Sequence, residues 1–140
     1  MAFTNQTSSI GVKATGDIRV SRICKWDNSA NLSVAEGTAN SICAGVAPEG
    51  VFTNDSAYAG LAAKSGDAFQ MYIRGVVQVH AMATVDEGDR IKSDGAGGAM
   101  PIVTTGATPQ EVLGICVKAA ASGTMCEVLL QPGTYRGSQT

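Results

Sequence analysis

The sequence predicts an all-β fold, a barrel or sandwich of about nine short strands. Three observations carry that expectation. Seventeen of the 140 residues are glycine and four are proline, well above the usual glycine share of about 7%, which disfavours long helices. Apolar residues alternate with polar ones in runs too short for a helical stripe, and turn residues recur between the runs.

Taken in chain order, residues 1–16 are rich in Ser, Thr, Asn and Gly and read as an N-terminal arm with little structure of its own. Ile18 and Val20 alternate with Arg19 and Ser21. Leu32 alternates with Val34, and Ile42 with Ala44 and Val46. Asp55–Lys64 has a helix-capping Asp and several alanines but also Gly60, so it reads as loop or one to two helical turns. Phe69, Met71 and Ile73 follow. The strongest signal spans 77–85, where Val77, Val79, Ala81, Ala83 and Val85 share one face and Gln78, His80, Met82 and Thr84 the other.

Beyond that strand, Gly88 in Val85-Asp-Glu-Gly-Asp-Arg-Ile91 suits a bulged hairpin turn, and Asp94–Ala99 forms a second turn. Pro101 fits a strand start or an edge. Val112–Val117 and Met125–Leu130 close the domain, with Ser122-Gly123 turning between them and Pro132-Gly133 ending the last strand. The organisation expected is an arm at 1–16, a domain at 17–133 and a tail at 134–140. A faint echo, Val34-Ala-Glu-Gly37 against Val85-Asp-Glu-Gly88, leaves open a pseudo-repeat with unequal loops.

At 14.3 kDa the chain fits one domain whose core needs neither disulfides nor a metal. With 44% apolar residues but only one Trp, three Tyr and three Phe, that core must be aliphatic. The N-terminus lacks a basic start and an apolar stretch, and no run approaches the length of a membrane helix, so a protein made in a cytosol is expected. Cys24, Cys43, Cys116 and Cys126 are scattered and read as buried free thiols. The net charge of −2 argues against a domain-wide grip on nucleic acid. Its distribution is uneven. Residues 1–26 hold Lys13, Arg19, Arg22 and Lys25 against Asp17, which suits either an arm docking on an acidic partner or a solubilised edge strand. Trp26, which follows, reads as a core residue or an interface anchor.

No catalytic constellation emerges. His80, the single histidine, lies mid-strand and reads as a surface or interface residue. Asp86, Glu87, Asp89 and Asp94 lack the ligand spacing of a calcium loop and alternate with Arg90 and Lys92. Gly95–Gly98 is not followed by the Lys-Ser/Thr of a phosphate loop. The chain is expected to be no enzyme and to need no cofactor.

Gly75-Val-Val-Gln-Val-His-Ala-Met-Ala83, Val85–Ile91, Val112–Ala119, Ser122-Gly123 and Val128–Gly133, in that order and with Cys43–Ala47 upstream, resemble the bacteriophage capsid cement, or head-decoration, proteins. The likeness spans about residues 17–133, and Val51–Lys64 looks longer than the family's usual connection. The resemblance implies a β-barrel or β-tulip, commonly trimeric, bound to the outside of the phage head. There it would clamp neighbouring major capsid subunits, with no nucleic-acid or membrane partner. Under that reading Phe3, Ile10, Val12, Arg19, Arg22, Lys25 and Trp26 are the capsid-contact candidates, and Gln78, His80 and Met82 the trimer-contact candidates. Another virion part, such as a fibre base or tail module, and a cellular β-barrel ligand-binding domain are the alternatives.

Overall fold

A computed structural model describes residues 7–50, 55–104 and 108–136. Over these the chain is all-β, as expected, with twelve strands and one 3-10 turn. Five strands close a barrel: β1 (Ser8–Ala14), β3 (Ile23–Asp27), β4 (Ser33–Glu36), β5 (Cys43–Val46) and β7 (Ala68–Arg74), in the order β1-β4-β3-β5-β7. A second sheet has the order β10-β9-β11-β12-β8, from β8 (Val76–His80), β9 (Arg90–Ser93), β10 (Ala99–Pro101), β11 (Gln110–Lys118) and β12 (Met125–Tyr135). The short strands β2 (Ile18–Arg19) and β6 (Leu61–Ala63) pair with each other.

Two apolar cores result. Val12, Ala14, Cys24, Val34, Ala44, Phe69 and Met71 are buried in the first, to which β2 and β6 add Ile18, Ala62 and Ala63. The second joins Ile23, Cys43 and Val46 of the barrel to Val77, Val79, Ile91, Leu113, Val128 and their neighbours in the other sheet. β3 and β5 serve both cores: Ile23 and Cys24 alternate between them, and on β5 Ala44 faces one core while Cys43 and Val46 face the other, the register shift between Cys24↔Gly45 and Lys25↔Cys43 breaking the simple alternation. All four residues of β5 are accordingly buried. Between β2 and β3 the chain threads the junction of the sheets. Ser21, at a left-handed φ of 56°, donates its amide to Pro48 O and accepts from His80 N, while Ile23 N donates to Gly97 O.

Several expectations need correction. Ser8–Ala14 is not an arm but a barrel strand, with Ile10 opposite Met71 and Val12 opposite Phe69. Its inward positions alternate, yet its partners are β7 and β4, a non-local pairing that local composition hides. Residues 1–6 lie outside the described residues. Gly88 does take φ 89° in a tight turn, but the strands beside it are not a hairpin. β8 pairs with β12, β9 pairs with β11 and β10, and Gly88 N donates to Cys116 O. The predicted 77–85 strand ends at His80, although Val77, Val79, Ala81 and Val85 are buried as their alternation implies.

The last strand does not stop at Pro132-Gly133 and carries the expected tail residues Thr134 and Tyr135 into the ladder. There Gln110 faces Tyr135 and Val112 faces Gly133, while Gly114 faces Leu130, so the irregularity accommodates Pro132. Residues 137–140 are not described. Asp55 caps the 3-10 turn Ser56–Tyr58 by accepting from Ala57 N at 3.0 Å, and Gly60, at φ 72°, turns the chain into β6. Pro101 lies in β10, an outer strand of its sheet. Gly37 is not among the positive-φ glycines, whereas Gly88 is, so the sequence echo has no matching backbone geometry.

Candidate docking surface

The capsid-contact candidates separate into three groups. Phe3 lies outside the described residues. Ile10 is partly buried against the barrel core and Val12 is buried within it, so closing the barrel uses both side chains. Val12 is 3% exposed, so its side chain is committed to that core.

Arg19 and Arg22 are held by the fold. The Glu36 carboxylate accepts from Arg19 N at 2.8 Å and from its Nε and Nη2 at 3.0 Å each. Arg19 Nη2 and Arg22 Nη1 both donate to Ala96 O, at 3.2 and 3.3 Å. That carbonyl is presented by a loop whose amides Ala96 N and Gly98 N are bound by Asp94 Oδ1. The bond to Glu36 raises the Arg19 pKa, whereas burial, then Arg19 itself, lowers that of Arg22. Burial also lowers the pKa of His80, with Arg22 and Arg19 adding repulsion. Three candidates assigned to two different interfaces therefore meet in one cluster that joins the sheets.

Lys25 and Trp26 sit on β3, Lys25 partly buried and Trp26 45% exposed. Trp26 has company that the sequence did not reveal. It pairs with Val34, two residues beyond Leu32 in the β3–β4 turn, while Lys25 pairs with Cys43, placing Ile42 beside Trp26. Leu32 is 58% and Ile42 65% exposed. Leu32 has φ 52° and Asn40, in the loop leading to Ile42, φ 61°, a region where a branched side chain is strained. The alternation of Leu32 with Val34 and of Ile42 with Ala44 reads as continuous strand. The one available sign was the absence of charge: 28–35 and 37–48 contain no Asp, Glu, Lys, Arg or His.

The trimer-contact candidates Gln78 and Met82 are exposed and His80 is partly buried; Gln78 and His80 lie on the side of β8 away from the buried valines, and Met82 follows the strand's end. Gln78 pairs with Glu127 and His80 with Met125.

Among the described residues no group of three or more His, Cys, Asp or Glu could hold a metal ion, and no helix is long and apolar enough to cross a membrane. The four cysteines are unpaired and buried, as the sequence implies. Burial pushes the thiols up, to about 12 for Cys24 and about 11 for Cys43 and Cys126. An open groove of about 600 Å³ runs past Gly11, Pro48, Ala62, Phe69 and Tyr72. Of its two aromatic lining residues, Phe69 is buried and Tyr72 partly buried.

A closed barrel whose strands β3 and β5 also wall the core of a second sheet, with three large apolar side chains exposed near one hairpin end, defines a small all-β module. The comparisons agree. The model of the phage cement protein family matches residues 4–131, and the chain belongs to that family. Membership makes it a phage virion protein and implies binding to the phage capsid and a non-enzymatic role. Among solved structures it is similar to the head fiber gp8.5 N base of bacteriophage phi29, with a TM-score of 0.64 and 18% identity over 90% of this chain and 95% of that one. At that identity the likeness concerns the fold. No curated protein matches the chain.

Proposed function

We propose that this protein attaches to the exterior of the mature, DNA-filled head as a homotrimer and holds neighbouring major capsid subunits together. The observation that carries the reading is the family match over residues 4–131. The physics is compatible: a rigid module that bridges several subunits turns modest contacts into firm retention, because each contact made raises the effective concentration of the next. Copies would meet through Gln78 and His80 of β8 and Met82 just beyond it. The test is to add purified protein to phage heads produced without it. Co-sedimentation and a higher temperature of DNA release are expected. Heads that neither retain the protein nor gain heat resistance would refute the reading, and a monomeric mass by light scattering at micromolar concentration would refute the trimer.

A second reading, a base on which another virion protein stands, draws on the likeness to the phi29 head fiber base. A reconstruction of the intact particle separates the two: a cement protein ends at its own density, whereas a base carries a further component.

A further inference from the structure

We propose that the β3–β4 hairpin end, with Trp26, Leu32 and Ile42 as anchors, is the face that seats on an uncharged, apolar recess of the capsid shell. This deepens the reading above and rests on it. Three features single out this end. First, three large apolar side chains gather there at 45%, 58% and 65% exposure, beside strands whose other inward residues are buried. Second, Leu32 holds a left-handed φ of 52° while exposed. Glycine or asparagine would relieve the backbone and keep the side of the turn wet, so folding alone gives no reason for leucine. Third, the segments 28–35 and 37–48 beside the anchors supply Asn28, Asn31, Asn40 and Ser41 and no ionisable acid or base apart from the buried Cys43 thiol, while Lys25 and Asp27, which flank Trp26 on β3, alternate to the other face of the strand. A charge-depleted apolar centre with a neutral hydrogen-bonding rim is the anatomy of a protein-binding core.

Size and charge select the occupant. The exposed parts of the three side chains amount to roughly 350 Å², well under the ~800 Å² per partner of a stable stand-alone interface. A second copy would be held weakly here, whereas a shell offering several subunits at once retains a small seat through multivalency. The charges nearest the seat, Lys25 and Asp27 on either side of Trp26, are opposite in sign and leave no net attraction to an acidic surface, so binding there depends little on salt.

The test compares wild type with Leu32→Gly, Trp26→Ser and Ile42→Ser for co-sedimentation with heads produced without the protein, at 0.05 and about 0.5 M salt. The expected result is a loss of apparent affinity of about tenfold or more for Trp26→Ser and several-fold for the other two, with little salt dependence. Leu32→Gly is the control for folding, since it relieves a strained backbone and should melt no lower than wild type while binding less. If wild type binds and the variants bind equally well, the seat lies elsewhere and the proposed function stands. A wild type that does not bind overturns both. Variants that lose oligomer mass in light scattering but keep their hold on heads would make this end a contact between copies and overturn the assignment.

Discussion

Gly114→Ala tests the packing of the second sheet most directly. Gly114 on β11 faces Leu130 on β12 and Ile91 on β9. A Cβ placed there would lie 2.0 Å from Leu129 O, 2.9 Å from Leu129 C and 3.0 Å from Gln131 N. All three obstacles are backbone, so no rotamer change relieves the clash, and β12 must retreat by about 1 Å or more to reach even a tight contact. That retreat strains the ladder around Leu130 and loosens Leu113, Val128 and Leu130, all buried in the second core. One or two weakened hydrogen bonds at about 1 kcal/mol each and a loosened core at 1–3 kcal/mol give a loss of about 3 kcal/mol, or roughly 6–12 °C in melting temperature. Gly133→Ala is the matched control: it lies on β12 with open space where its Cβ would go, and its φ is not positive. It should change stability by less than about 0.5 kcal/mol. Thermal and urea unfolding followed by circular dichroism measure both. A Gly114→Ala protein as stable as wild type, or a Gly133→Ala protein equally damaged, would refute the close-approach argument.

Other consequences are as concrete. Gly88→Ala meets no neighbour but forces alanine to φ 89°, so it should cost about 1 kcal/mol in the same unfolding assay. The four thiols should resist a disulfide-exchange reagent at pH 8 in the native protein and react fully in denaturant. Rapid native labelling of Cys24 or Cys126, both completely buried, would contradict the cores as described. Asp67, bonded to the Tyr58 hydroxyl and Lys64 N, and Asp27, bonded to the Thr15 hydroxyl and Ser29 N, are both held below their ordinary 3.8. A carboxylate whose pKa is lowered by folding stabilises above its unfolded pKa, and that stability is lost as pH falls through the folded value. Unfolding midpoints should therefore be level down to about pH 4 and drop below it, and Asp67→Asn should flatten part of the drop.

The legible parts of the fold were those encoded locally. Val77, Val79 and Ala81 declared a buried face by their period of two, and Gly88, Gly97 and Gly123 marked turns that the positive φ values require. Pairing was not legible, because hydrogen-bond partners are chosen by the whole fold. β1 was mistaken for an arm since Ile10, Val12 and Ala14 gain meaning only when Phe69 and Met71 arrive opposite them. The surroundings of the docking candidates were hidden for a related reason. Arg19 and Arg22 looked like free steering charges until the loop at Ala96 came round to accept from both. Trp26 was visible as a lone tryptophan, but its companions Leu32 and Ile42 belong to alternations that predict burial. Only the hairpin geometry lifts them out of the strands.

That β3 and β5 are walls common to both cores has a mechanical consequence. Neither half can loosen while the other stays intact, since withdrawing either strand empties two interiors at once. Load entering at the Trp26 end of β3 passes within five residues to Ile23, whose amide and carbonyl are tied to Gly97 and Gly37. Stress applied at one tip is thereby spread through the body of the molecule, instead of peeling off a single ribbon.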